Sequence, residues 1–277
     1  MTRRSRCRFM IAVAALCLTV TCGRPSTHTL DTATTTSVQN SGLLNQLLPA
    51  FERTGGLEVR VHAVGSGLAL NMLAHRQVDA VISHAPETER RMLSQHADWS
   101  YRKIAYNRFV LAGPPDDPAH TSAATDVLQA FRLIADSGAT FVSRGDESGT
   151  HERERMFWRA AGRRPSDERV IVSGSGMAQA LWHANAAGAY VLTDAPTFWQ
   201  LAPTLDLRIH FENDSRLLNT YAVIHRASSR EGAAFAAWLT SASGAAAIGS
   251  LTIDSRRAYE PWPANCAGGQ PEDAACP

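Results

Sequence analysis

Short apolar runs alternate with amphipathic helical stretches along this chain, and that order constrains the fold more than any other feature. Residues 29–36 read as a strand, and residues 41–54 place Leu43, Leu44, Leu47, Leu48 and Phe51 along one helical face. Residues 57–64 alternate as a strand, 68–76 are helical and 80–83 are strand-like again. Such a β-α-β-α-β order implies an α/β fold, with a parallel sheet and helices on its faces. Residues 104–113 form an apolar strand that ends in Pro114-Pro115-Asp116-Asp117-Pro118, a linker signal. A second set of units follows, with helices at 123–135, 148–161 and 176–187 and strands at 140–143, 170–172 and 189–192. Residues 217–225 read as a returning strand and 233–248 as one final helix. The pattern predicts two α/β lobes, residues 29–113 with 217–262 and residues 114–216, followed by a tail over 263–277.

The start of the chain has a different character. Arg3, Arg4, Arg6 and Arg8 precede an apolar run over 9–20, too short to span a bilayer and suited to a secretory signal. Residues 1–21 are therefore predicted to be removed on export. Cys22 follows directly, in the position of a bacterial lipoprotein acyl site; the other reading is cleavage nearby with Cys22 incidental. Removing residues 1–21 takes the formal charge from +1 to −3, because they hold four arginines and no acid. A mature chain so near neutrality has no general attraction for nucleic acid, and any anion it holds needs a local site. Cys7 and Cys17 leave with the signal, while Cys266 and Cys276 suit a disulfide that closes a small loop in the tail. No Cys/His spacing resembles a zinc site, so neither a directly ligated metal nor a cofactor is expected.

The heptad Arg144-Gly145-Asp146-Glu147-Ser148-Gly149-Thr150 opens a strongly helical stretch directly after an apolar strand. Hydroxyls and unpaired amides at a helix start face outward where the helix dipole is positive, and Arg144 adds a planar donor fork. That donor set suits a tetrahedral oxyanion. The alternative is an ordinary helix cap made by Ser148 or Thr150, with Arg144 and Asp146 as a surface pair. Two further strand-to-helix junctions are rich in the same groups: Thr34-Thr35-Thr36-Ser37 and Gly65-Ser66-Gly67. Ligands of parallel α/β sheets bind beyond the carboxyl ends of the strands, where all three segments fall.

Those three segments, with Ser41-Gly42-Leu43-Leu44, the His84-Ala85-Pro86 step, Tyr106-Asn107-Arg108-Phe109-Val110, Ala189-Tyr190-Val191-Leu192-Thr193-Asp194 and Leu217-Leu218-Asn219, resemble the tungstate-binding proteins of bacterial ABC importers. The resemblance extends from Leu30 to about Ser250. It implies a type II periplasmic-binding fold of two hinged lobes, tungstate or molybdate as ligand and a permease as partner. It also implies that Thr35, Thr36, Ser37 and Ser66 donate from one lobe and Arg144, Ser148, Gly149 and Thr150 from the other. Two departures stand out: Ser66 occupies a usual threonine position, and Ala195-Pro196 follows Thr193-Asp194 where the family has an arginine.

The expected activity is binding and delivery by a monomer, without chemistry. Asp146 near a dianion is repulsive unless it turns to orient Arg144 or accepts a proton from a ligand such as hydrogen phosphate. Arg144-x-Asp146-x-Ser148-Gly149-Thr150 also resembles phosphate-binding proteins of this fold, which keeps phosphate as the alternative. A serine hydrolase using Ser148 and His151 is the more distant one, since no Gly-x-Ser-x-Gly elbow and no Gly-Lys phosphate loop is present. His84 is expected to pack or hydrogen-bond near the hinge, and Trp158, Trp182, Trp199 and Trp238 to serve the core or the lobe surface.

Overall fold

The computed structural model describes residues 29–271 apart from Gly56, together with residues 276 and 277. The signal segment and Cys22 lie outside the described residues. The chain runs β1 (Thr29–Thr35), α1 (Thr36–Asn40), α2 (Leu43–Gly55), β2 (Glu58–Val64), α3 (Ser66–Ala74), β3 (Ala80–Ser83), α4 (Pro86–Gln95) and β4 (Trp99–Gly113). It continues through α5 (Val127–Ser137), β5 (Phe141–Ser143), α6 (Gly149–Ala161), β6 (Val170–Val172), α7 (Met177–Ala187), β7 (Tyr190–Asp194), α8 (Ala195–Leu201) and β8 (Arg208–Phe211). It ends with β9 (Leu218–Arg226), α9 (Arg230–Leu239), α10 (Ala242–Gly249), β10 (Thr252–Ile253), β11 (Arg256–Arg257) and β12 (Glu260–Pro261).

Among the described residues the main sheet has the order β2-β1-β3-β9-β4-β7-β5-β6, with β8 and β12 also paired to β4. β1 lies parallel between β2 and β3. β5 lies parallel between β6 and β7. Each set is covered by helices on both faces, so its central strands are buried on both sides. On β3, Ala80 and Ile82 enter the core of Leu30, Leu47, Phe51 and Phe235, while Val81 faces the core of Ala69, Leu70 and Leu73. β7 repeats the pattern, with Tyr190 and Leu192 packed toward Phe131, Phe141 and Phe157 and Val191 toward Met177 and Leu181. Burying each such ring contributes about 1.5–3 kcal/mol, enough for either half to hold its own core. Trp158 lies edge-on to Phe131 and Phe141, and Trp238 to Phe51. Trp182 is exposed.

The chain crosses between the halves twice. β4 pairs with β9 from Trp99 to Arg108, then with β7 from Phe109. The chain therefore passes into the second half inside one continuous strand, five residues before the proline-rich segment. It returns between Leu217, buried in the second core, and Leu218, which pairs with Arg108. The supposed linker is a pinned turn: the buried Asp117 carboxylate accepts from Thr121 N, Thr121 Oγ1, Ser122 N and Tyr190 Oη at 2.7–3.0 Å.

Three further expectations change. The single helix over 233–248 is two helices, because Ser241 caps a new start by accepting from Gly244 N at 3.3 Å. β4 begins at Trp99, earlier than predicted. α4 and α8 were not anticipated; α8 begins at Ala195-Pro196, the departure noted above, and Asp194 caps it through Thr197 N at 3.0 Å. Cys266 and Cys276 are disulfide-bonded, with Cα atoms 5.6 Å apart.

Candidate functional site

The candidate anion donors sit at strand-to-helix junctions, where the strand ends of the two halves face each other. Thr35 ends β1 and caps α1, accepting from Val38 N at 3.3 Å. Ser66 is the first residue of α3, whose N-cap Gly65 offers no side chain. Ser148 caps α6, and Gly149 and Thr150 begin it. The first-turn amides of these helices have no intrahelical partner, and their dipoles favour an anion in front of them.

Contacts join the junctions into a circuit between the halves. A Cβ placed on Gly176, at the start of α7, would lie 3.6 Å from Thr36 Oγ1. The adjacent Ser175 carbonyl accepts from Arg144 Nε at 3.0 Å. The Arg144 guanidinium is ion-paired with Asp146, whose carbonyl oxygen would be 3.6 Å from a Cβ on Gly65. Gly149 packs so tightly on the backbone of His84 that a Cβ there would come within 2.8 Å of the His84 carbonyl carbon and Nδ1. Glycine is required at 149 by this close approach. At Gly145 it is required by the left-handed backbone, φ +60°, and the adjoining Val172 side chain.

The cluster is almost sealed. Thr35, Ser37, Ser66, Arg144, Ser148 and Thr150 are all buried, and Thr36 is half-buried. Ser66 Oγ and Thr150 Oγ1, one from each half, are buried hydroxyls with no hydrogen-bond partner among the described residues. A buried polar atom left so costs about 1–3 kcal/mol unless something else satisfies it. Groups with that property on two converging helix starts mark a place built to grip a guest.

Asp146 settles its own role. One oxygen takes Arg144 and the other accepts from Ser148 Oγ at 2.6 Å and from Ser148 N at 3.2 Å. It orients the arginine fork. The Ser148 hydroxyl proton goes to Asp146 while its oxygen accepts from His151 N at 3.3 Å, so Ser148 holds both the loop and the helix start. Arg144 also gives its backbone N–H to Glu154 Oε2 at 3.1 Å. Burial raises Glu154 to about 7, partly offset by its hydrogen bonds from Ser143 and Arg144.

His84 lies beneath the cluster, stacked on Tyr221 and 3.1 Å from Asn219 Oδ1 through Nδ1. Asn219 Nδ2 donates to Asn107 Oδ1 at 2.8 Å and to Tyr221 Oη at 2.9 Å, which fixes its Oδ1 as the acceptor toward the imidazole. Burial depresses His84 to about 4, so the ring is neutral at physiological pH with its proton on Nδ1. Sequence reading placed a helix over 176–187 but did not assign its start to the site. The signal was present as Gly174-Ser175-Gly176, the same Gly-Ser-Gly step as Gly65-Ser66-Gly67 at the start of α3. Among the described residues no group of three or more His, Cys, Asp or Glu could hold a metal ion.

The PBP superfamily domain matches residues 23–243. The chain belongs to that superfamily. The tungstate-binding protein TupA of Peptoclostridium acidaminophilum is 34% identical over 226 residues, covering 78% of this chain and 79% of that one. The solved tungstate-binding protein TupA of Desulfovibrio alaskensis G20 superposes with a TM-score of 0.73 at 32% identity, over 84% of this chain and 98% of its own. A tungstate ABC transporter structure from Geobacter sulfurreducens gives a TM-score of 0.73 at 34% identity, over 80% and 98% of the two chains. The fold is the type II periplasmic-binding architecture, two α/β lobes joined by β4 and β9, in a family of binding proteins and not of enzymes.

Proposed function

We propose that this protein captures tungstate, or its near-isostere molybdate, outside the cytoplasm and delivers it to the permease of an ABC importer. The observation that carries the reading is the pair of buried hydroxyls without partners among the described residues, Ser66 Oγ and Thr150 Oγ1, on helix starts of opposite lobes. A fully deprotonated tetrahedral oxyanion offers only acceptors, so it matches hydroxyls, first-turn amides and the Arg144 fork. Thr35, Thr36, Ser37 and Ser66 supply donors from the first lobe; Arg144, Gly149 and Thr150 supply them from the second, with Ser148 and Asp146 as their support. The start of α7 at Gly176 completes the cradle.

The relatives' tungstate ligand and ABC transporter role support this reading. Geometry argues against both alternatives. A hydrogen phosphate would have to place its proton on Asp146 in competition with Arg144 on one oxygen and Ser148 on the other. A hydrolase needs His151 to act on Ser148, yet His151 Nδ1 accepts from Glu147 N at 3.1 Å and the Ser148 proton goes to Asp146. Titration calorimetry with tungstate, molybdate, phosphate and sulfate tests the proposal. Phosphate binding most tightly at neutral pH defeats it.

The arginine-rich leader and Cys22 fit export with lipid anchoring at the outer face of the cytoplasmic membrane. No helix among the described residues is long and apolar enough to cross a membrane. Mass spectrometry of the membrane fraction tests acylation at Cys22.

A further inference from the structure

α4 starts without any cap of its own. Its N-cap residue is Ala85, which has no polar side chain, and Pro86 lacks an N–H. The next amides are served from the other lobe. Glu152, on α6, accepts from Glu87 N at 2.6 Å through Oε1, and from Thr88 N at 3.0 Å and Thr88 Oγ1 at 2.8 Å through Oε2. Its carboxylate is nearly buried and sits at the positive end of the α4 dipole. Arg159, two turns further along α6, pairs with Glu87 at 3.3 Å. The α4 Glu89 side chain accepts from Ala85 N at 2.8 Å and from Tyr101 Oη at 3.2 Å, and so leaves the Glu87 and Thr88 amides to Glu152.

We propose that Glu152 is a positioning residue that latches the two lobes shut over the bound anion. The inference rests on the oxyanion-binding reading above. One rigid helix, α6, carries Gly149 and Thr150 against the anion and Glu152 against α4 within its first turn and a half. When the lobes part, the carboxylate and the α4 amides each return to water. When they meet, three hydrogen bonds form together, and the anion and the latch stabilise the same closed arrangement. The latch therefore acts on release of the anion more than on its capture, because it forms only after the lobes have met.

Glu152→Ala and Glu152→Gln in the purified protein test this with sodium tungstate. The readouts are stopped-flow association and dissociation, small-angle scattering with and without tungstate, and urea unfolding of the ligand-free protein. Glu152→Ala is expected to release tungstate about tenfold faster or more, with association within about threefold of wild type. Glutamine keeps one carbonyl acceptor and is expected to fall between the two. The ligand-free unfolding midpoint is expected to stay unchanged, since the open form does not use the contact. Release within twofold of wild type overturns the latch. So does a loss of ligand-free stability in Glu152→Gln, because Glu152 would then cap α4 in both states. A wild-type protein that binds no tungstate refutes the underlying reading instead.

Discussion

Gly149→Ala sets two physical effects against each other with opposite signs. By helix propensity alone the substitution favours α6, since alanine loses less conformational freedom than glycine. The tertiary contact says the reverse for ligand binding. The new methyl carbon would come within 2.8 Å of the carbonyl carbon and Nδ1 of His84, and closer still to the carbonyl oxygen. Ordinary contact between such atoms needs about 3.5 Å, so the start of α6 must retreat by roughly 1 Å. Gly149 and Thr150 carry their amides with it. A hydrogen bond of about 2.9 Å stretched by that amount passes beyond useful range. Losing one charge-assisted hydrogen bond costs about 1.5–3 kcal/mol, or about 10- to 150-fold in Kd. His84 and Gly149 belong to opposite lobes, so the unfolding midpoint of the ligand-free protein is expected to hold or rise slightly. Calorimetry with tungstate and urea unfolding without it measure the two quantities. Tungstate affinity within twofold of wild type would refute the argument that this close approach sets the cradle.

Arg144→Ala is expected to weaken tungstate binding at least about tenfold, the equivalent of one charge-assisted hydrogen bond, as read by calorimetry. Ser148→Ala is expected to cost about 1 kcal/mol of unfolding free energy as a lost cap, and affinity should fall less than in Arg144→Ala. Equal affinity losses would restore Ser148 as a direct donor. Asp117→Ala removes the acceptor of four buried hydrogen bonds and is expected to destabilise the second lobe by about 3 kcal/mol or more, measured by urea unfolding. His84 is neutral in the fold, with its pKa depressed to about 4, while the unfolded chain protonates near 6.5. Its contribution is complete above pH 6.5 and is lost as the pH falls toward 4, by about 3 kcal/mol. His84→Gln should shrink the stability difference between pH 7.5 and 4.5, and an unchanged difference would contradict the burial argument.

The sequence by itself determined the strand-to-helix junctions and the chemistry offered there. Thr35, Ser66 and Ser148 announce helix starts because capping and first-turn groups lie within three residues of one another, a range that local sequence reports. The three-residue strand at Val170–Val172 and the helices on either side of it were legible for the same reason. α4 was not, because within Pro86–Gln95 only Glu89 and Met92 are buried, too few to give a helical apolar stripe.

Only tertiary structure decided the rest. The passage between lobes falls inside β4, where one extended strand runs on from Arg108 to Phe109 and only the partner strand changes. Asp146 turning both oxygens onto Arg144 and Ser148 depends on how a folded loop directs its protons. The fit of Gly149 against His84, and of Glu152 on α4, joins residues more than sixty positions apart. Local propensity acts over a few residues, whereas the meeting of two lobes is set by where the whole sheet delivers its helix ends.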